Sequence, residues 1–330
     1  MSVPLPPPTA VTAPALLLEH VTKRFVGHTA VDDLSLQIPT GVIYGLLGPN
    51  GAGKTTTIRM MLDIILPDTG RVQLFGGAGT ARAHSARIGY LPEERGLYRR
   101  MRVLDVLIFL AVMKGVDRRR ARARALAWLE RLGLGEWHAR RVDDLSKGMQ
   151  QKVQFISTLL HDPALVILDE PFAGLDPVNA QILKNTVLDL RNGGVTVLLS
   201  THVMEQAERL CDQLCIIAGG RKLVDGPLAE IKRAHRGQHV TIGFVGRAGA
   251  GAAQLFADKR LVRKFDDYGQ YAELELASDA DPQELLRGLV QSGARLSRFE
   301  LMEPSLHKIF IDLVGRDPAQ PQAGEEAGRA

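Results

Sequence analysis

The sequence is poor in cysteine: of 330 residues only Cys211 and Cys215 are cysteines, four positions apart and with no histidine pair beside them. That excludes a disulfide framework and a cysteine-based metal centre, and leaves two buried reduced thiols as the expectation, with the cytosol as the compartment. Long apolar runs are lacking as well. The longest, Val106 to Met113, falls far short of the roughly 20 residues that cross a bilayer, so a soluble protein without a transmembrane helix is expected. Sustained heptads are absent, which argues against a long coiled coil. The opening stretch, MSVPLPPPTAVTAP, has neither a basic n-region nor a continuous apolar h-region. It reads as a disordered proline-rich tail over residues 1–14 and not as a signal peptide; residues 316–330 read as a second disordered tail.

What is present is ordinary globular composition, 45% hydrophobic and 24% charged, in a chain long enough for two domains. A net charge of +4 permits contact with nucleic acid or an anionic membrane without demanding it, and no nucleic acid partner is expected. The run DRRRARAR, Asp117 to Arg124, reads first as a solvated helix face and second as a patch turned to a membrane or a partner.

From Ala15 to about His235 short apolar strands alternate with helical segments, an α/β signature. Strand candidates are Ala15 to Glu19, Leu34 to Ile38, Val42 to Leu47, Val72 to Leu74, Ile88 to Leu91, Leu165 to Leu168, Thr196 to Ser200 and Leu214 to Ala218. The unbroken apolar run Leu165-Val166-Ile167-Leu168 suits a parallel strand buried on both faces. Between Leu91 and Leu165 the connection is too long for a simple crossover and mainly helical, including Val103 to Lys114 and Arg118 to Leu132; an inserted helical subdomain is expected over about 97–162. After His235 the pattern changes. Val240, Ile242 and Phe244 alternate with small or polar residues, as do Ala272, Leu274 and Leu276 with glutamates. Two amphipathic helices then start at Asp281-Pro282, closed by Gly293, and at Pro304-Ser305, with Leu306, Ile309, Phe310 and Leu313 on one face. The expected organisation is an α/β domain over 15–236 and a small α+β domain over 237–315.

The strongest motif is GPNGAGKTT: Gly48, Pro49, Asn50, Gly51, Ala52, Gly53, Lys54, Thr55 and Thr56. It fits G-x-x-x-x-G-K-[ST], follows a predicted strand and precedes a helix expected to run to Pro67. In such a phosphate-binding loop (P-loop) the glycines let the backbone wrap the phosphates of ATP, Lys54 reaches the β and γ phosphates, and the Thr55 hydroxyl ligates Mg²⁺. A P-loop needs a second carboxylate on a neighbouring strand end, and LVILDEP supplies Asp169. Glu170 then falls beside the γ-phosphate, where a carboxylate orients or deprotonates the attacking water; two acids at a strand end could otherwise be a helix cap. Residues 145 to 151, LSKGMQQ, look like a helix start with Ser146 as N-cap. A helix N-terminus prefers acidic side chains, so Lys147 is either a solvated lysine or the sign of an anion docking there.

The order GPNGAGKTT, LSKGMQQ, LVILDEP, AGLD (residues 173 to 176) and then His202 after a strand resembles the ATPase subunits of ABC transporters over residues 15–236. The resemblance implies a P-loop NTPase of ABC type, with a mixed sheet core, an inserted helical subdomain and a small α+β C-terminal domain. It implies that Ser146, Lys147 and Gly148 form a signature that closes on the γ-phosphate held by a second copy in a head-to-tail homodimer. It further implies that Asp176 crosses that dimer, that His202 is the switch histidine near the γ-phosphate, and that Phe25 stacks on adenine; by itself a phenylalanine near a strand end is core about as often. Two departures stand out. Lys147 and Met149 replace the family's glycine and glutamine in the signature, and Glu93 stands where its Q-loop has glutamine. A glutamate there can ligate Mg²⁺ directly or through water. LPEERGLY and LSKGMQQK together are similar to the sodium-efflux and drug-efflux branch of exporter ATPases, whose chains pair with separate membrane subunits.

The expected function is therefore ATP hydrolysis coupled to export by a separate transmembrane permease, on the cytoplasmic face of the cell membrane. With one P-loop and one signature, each chain makes two half-sites, and two copies complete them. Contact with the permease is expected from about Leu97 to Lys114 and the Glu93 loop. The alternatives are a soluble ABC ATPase not coupled to transport and an ATP-binding regulatory subunit with little turnover. GRAGAG, residues 246 to 251, reads as a flexible glycine-rich turn because it lacks the spacing of a dinucleotide loop.

Overall fold

In a computed structural model of the chain, the residues described are 13–77, 81–94, 96–235, 239–245, 250–269, 271–277, 280–302 and 304–314. Apart from residues 13 and 14, both expected tails lie outside them, as does most of GRAGAG; its last two residues, Ala250 and Gly251, open a helix instead of a turn. The chain divides into two compact units between Gly226 and Pro227, ahead of the composition shift at His235.

The first unit is built on a six-stranded sheet of β3 (Ile43–Leu47), β5 (Ile88–Leu91), β6 (Leu165–Asp169), β7 (Thr196–Thr201), β8 (Gln213–Ala218) and β9 (Arg221–Pro227), in the order β5-β6-β7-β3-β8-β9. Every residue of β3, β6 and β7 is buried, and their mutual pairing is parallel, which is why their apolar runs are unbroken and not alternating. A second sheet, β1 (Leu16–Phe25), β2 (His28–Ile38) and β4 (Thr69–Leu74), is antiparallel in the order β2-β1-β4. Its inward residues Leu16, Leu18, Leu34 and Leu36 share a core with Tyr44, Leu46, Ile58 and Met61.

Helix α1 (Lys54–Met61) follows β3. It stops well before Pro67, the end expected from sequence. Asp63 adopts φ +54, Asp63 N–H donates to Met60 O, and Ile64 N–H donates to Arg59 O at 2.9 Å. This is a Schellman closure with aspartate in the left-handed place where glycine is the usual signal. Between β5 and β6 come α2 (Val103–Met113), α3 (Arg118–Arg131) and α4 (Lys147–Ser157). The arginine run lies on α3, where Arg120 and Arg124 pair with Asp162 and Arg118, Arg119 and Arg122 are exposed. Helix α5 (Pro177–Asn192) precedes β7 and α6 (Met204–Leu210) follows it.

The second unit holds α7 (Leu228–Ala234), β10 (His239–Phe244), α8 (Ala250–Ala257), β11 (Val262–Asp267), β12 (Tyr271–Leu276), α9 (Pro282–Gln291), β13 (Leu296–Leu301) and α10 (Leu306–Val314). Its sheet is antiparallel in the order β11-β12-β10-β13. Val240, Ile242, Ala272 and Leu274 pack on Leu285 and Leu289 of α9. The strands that sequence patterning misses, β9, β11 and β13, are all sheet edges, and β11 buries only Val262. With one residue buried there is no alternation to read. Among the described residues no helix is long and apolar enough to cross a membrane.

Candidate nucleotide site

The site forms where β3, β6 and β7 end side by side. After Leu47 the chain wraps through Gly48 to Gly53 and enters α1. At Gly53, with φ +102, a Cβ would sit 2.3 Å from Ala30 O; at Gly48 it would sit 2.2 Å from Ile217 O. Both contacts are with backbone, so only glycine fits the loop at these points. The first turn of α1 has backbone N–H groups with no partner inside the helix, and no side chain caps them.

Lys54 is buried, and its Nζ folds back to donate to Gly48 O at 2.8 Å and Pro49 O at 3.1 Å. Burial pulls its ammonium below the ordinary value, while the charges of Glu170, Asp169 and Glu93 push it back up. Thr55 Oγ1 donates to Asp169 Oδ2 at 3.1 Å. Burial pushes the Asp169 carboxyl above its ordinary value. Its Oδ1 is buried without a hydrogen bond, although the Ser200 hydroxyl is near enough to draw the carboxyl back down.

Parallel pairing of β6 with β7 puts Asp169 opposite Ser200, so the next residues, Glu170 and Thr201-His202, face each other. Glu170 is 9% exposed, has φ +48, and donates its backbone N–H to Ser200 O at 3.0 Å. Its Oε1 accepts from His202 N at 3.0 Å and meets His202 Nδ1 at 2.7 Å; its Oε2 accepts from Thr201 Oγ1 at 3.1 Å.

A cleft of about 450 Å³ gathers Asn50, Gly51, Gly53, Lys54, Thr55 and Thr56 of the loop with Asp169, Glu170, Glu93 and His202; Phe25, half exposed, lines its rim. Gly48, Pro49 and Ala52 lie behind this lining, in the loop itself. Four expected residues are not brought to the cleft. Ser146 caps α4, accepting from Met149 N at 3.3 Å, and Lys147 beside it is exposed. Gly148 is half-buried, and a Cβ there would meet Leu175 Cδ2 at 3.3 Å. Asp176 caps α5, accepting from the backbone N–H groups of Val178 and Asn179 and from Asn179 Nδ2, and these bonds hold its carboxyl below the usual range.

Two further groups escape the sequence. Tyr90, on β5, has its phenol pushed up to about 12, by burial first and then by Asp169. Thr201 stands at the end of a predicted strand beside a singled-out histidine, which is the only signal it gives. Helix α4 is tied to the same region by two amides: Gln154 Nε2 donates to Glu94 O at 3.1 Å, and Gln151 Nε2 to Pro171 O at 3.3 Å.

Comparison with known proteins agrees with this geometry. The sequence family described as "ABC transporter" matches residues 31–173, and the "ATP-binding protein DrrA1-3-like, C-terminal domain" matches residues 226–314. The chain is 44% identical over 306 residues to the uncharacterized ABC transporter ATP-binding protein YhaQ of Bacillus subtilis, covering 91% of this chain and 98% of that one. It is 34% identical over 312 residues to Nod factor export ATP-binding protein I of Rhizobium sp., covering 92% and 98%. A solved ATP-binding subunit of an ABC transporter superposes with a TM-score of 0.61 at 29% identity, covering 67% of this chain and 93% of that one. A P-loop joined to a paired Asp169 and Glu170, together with near full-length similarity to such subunits, establishes that this chain belongs to the ABC transporter ATP-binding proteins, the ATPase subunits of transporters.

Proposed function

We propose that the chain hydrolyses ATP to drive export through a separate transmembrane permease, from the cytoplasmic face of the cell membrane. The observation that carries this reading is the convergence of Lys54, Thr55, Asp169, Glu170 and His202 on one cleft. The export direction is supported by the relative named for Nod factor export.

In this reading the triphosphate of ATP lies along Gly48 to Thr56. Its charge attracts the ammonium of Lys54 away from Gly48 O and Pro49 O, and meets the free N–H groups of α1. Phe25 offers its ring to the adenine. The donor set fits Mg²⁺: Asp169 has an unbonded buried oxygen, Thr55 a hydroxyl beside it, and Glu93 a further carboxylate, all hard oxygens. Bound there, the ion neutralises charge on the phosphate oxygens. Glu170 takes a proton from the attacking water as its oxygen bonds to the γ-phosphorus and the bond to the β-bridging oxygen breaks, giving ADP and phosphate. His202, half exposed at the cleft, turns from Glu170 to the γ-phosphate.

Ser146, Lys147, Gly148 and Asp176 lie away from their own chain's cleft, which supports their service to a second copy in a head-to-tail homodimer. The permease is proposed to dock on residues 97–114 and the Glu93 loop, where Tyr98, Phe109 and Met113 are exposed apolar side chains. Steady-state ATP hydrolysis by the full chain with Mg²⁺, set beside Glu170→Gln, tests the enzymatic core. Equal turnover by both proteins overturns it.

A further inference from the structure

Thr201 is 1% exposed, and its hydroxyl has two partners inside the fold. It accepts the Val203 backbone N–H at 3.1 Å and lies 3.1 Å from Glu170 Oε2. A hydroxyl has one proton to give. With a lone pair already engaged by Val203, that proton points at Glu170 Oε2, its other partner. The donor is also rigidly placed, because Thr201 ends β7, which is laddered to β6 on one side and β3 on the other.

We infer that Thr201 is a positioning residue for Glu170, fixing Oε2 so that Oε1 is the oxygen presented to the attacking water. The inference deepens the proposed function and rests on Glu170 acting on that water. Glu170 needs such a tether for a geometric reason. Its Oε1 is held by the His202 backbone N–H and by the His202 ring, which is half exposed and also lines the cleft, so the Nδ1 contact is the one that is lost when the ring turns to nucleotide. The Thr201 bond comes from a buried strand end and stays. Without it the carboxylate is held at Oε1 alone, by the His202 backbone N–H, and can rotate about its last torsion, which is broad and nearly two-fold, so that the water loses its orientation. Thr201 is not among the residues that line the cleft, so its effect falls on the chemical step and not on binding.

The test is a graded series in the full chain, Thr201→Ser, Thr201→Cys and Thr201→Val, with Glu170→Gln as reference. ATP turnover, affinity for a fluorescent ATP analogue and melting temperature are measured for each. The expected result is a kcat that falls in the order Thr, Ser, Cys, Val as donor strength falls. Val is reduced roughly tenfold or more, while KM and nucleotide affinity stay within about twofold. Serine, which keeps the donor, restores turnover. Wild-type kcat in Thr201→Val beside an inactive Glu170→Gln overturns the inference and leaves Thr201 as a turn residue serving Val203. Joint loss of affinity, kcat and melting temperature in both Cys and Val variants also overturns it, as a folding role. Wild-type turnover by Glu170→Gln instead overturns the reading of Glu170 on which the inference stands.

Discussion

The cleft and the signature segment handle charge in opposite ways. Around the cleft, Lys54, Asp169 and Glu170 are buried and answer one another within a single chain, through Gly48 O, Thr55 Oγ1, Thr201 Oγ1 and His202. At the signature, Ser146 and Lys147 are exposed at a helix N-terminus with no acidic residue in its first turn. One surface is complete by itself; the other presents a partial positive charge and a lysine to open space. The difference teaches that strand ends within one chain pair charges of both signs, while the N-terminus of α4 leaves positive charge turned to open space.

Four substitutions break or sharpen that contrast. Glu170→Gln is expected to lower ATP turnover by roughly 10²–10⁴, the usual loss on removing a general base, while nucleotide affinity persists; hydrolysis and binding assays on one preparation check it. Lys54→Ala removes a charged donor to the phosphates and should weaken ATP binding by about 10- to 100-fold, read by fluorescent nucleotide titration. Lys147→Gly should leave ATP binding by the separated chain unchanged and weaken ATP-dependent dimerisation several-fold, seen by sedimentation at varied ATP. An unaltered dimer would return Lys147 to a solvated role.

The smallest effect concerns His161, in the helical insertion. Burial holds its imidazole below the ordinary value of about 6.5, and Nε2 lies 3.0 Å from Ile88 O. The folded state thus binds its proton less readily than the unfolded chain. The stability that neutral His161 confers is full above the unfolded pKa and declines as pH falls through it toward the folded one. Melting temperature measured from pH 7.5 to 5 should fall less steeply in His161→Gln than in the parent. Parallel slopes would exclude this histidine as the source.

Much of the cleft could be read from sequence because its parts are consecutive. Gly48 to Thr56 is one loop, Asp169-Glu170 is one dipeptide, and an unbroken apolar run announces the strand before it. Thr201 could not be read that way. Its partner is 31 positions away, and their meeting depends on the register that sets Asp169 against Ser200. The end of α1 was hidden by Asp63, which adopts the left-handed turn that composition reserves for glycine; α9, closed by Gly293 at φ +79, ends where expected. Edge strand β11 buries one residue and β13 buries none fully, so neither leaves a periodic trace. For Asp176, sequence shows the residue but not that its carboxylate is engaged in capping its own helix.

The two amides on α4 make that helix a mechanical link. Gln154 grips the backbone at Glu94 and Gln151 the backbone at Pro171, each through its side-chain nitrogen, and the amide oxygen of Gln154 is buried without a hydrogen bond. A push on the Glu93-Glu94 loop therefore either breaks the part-buried hydrogen bond from Gln154 Nε2 to Glu94 O or carries the helix along with it. Seven residues at 1.5 Å each separate Gln154 from Lys147, so the motion emerges about 10 Å away, at the end that faces open space. A load applied at one loop is delivered at the tip of the helix as a shift in where its positive end points.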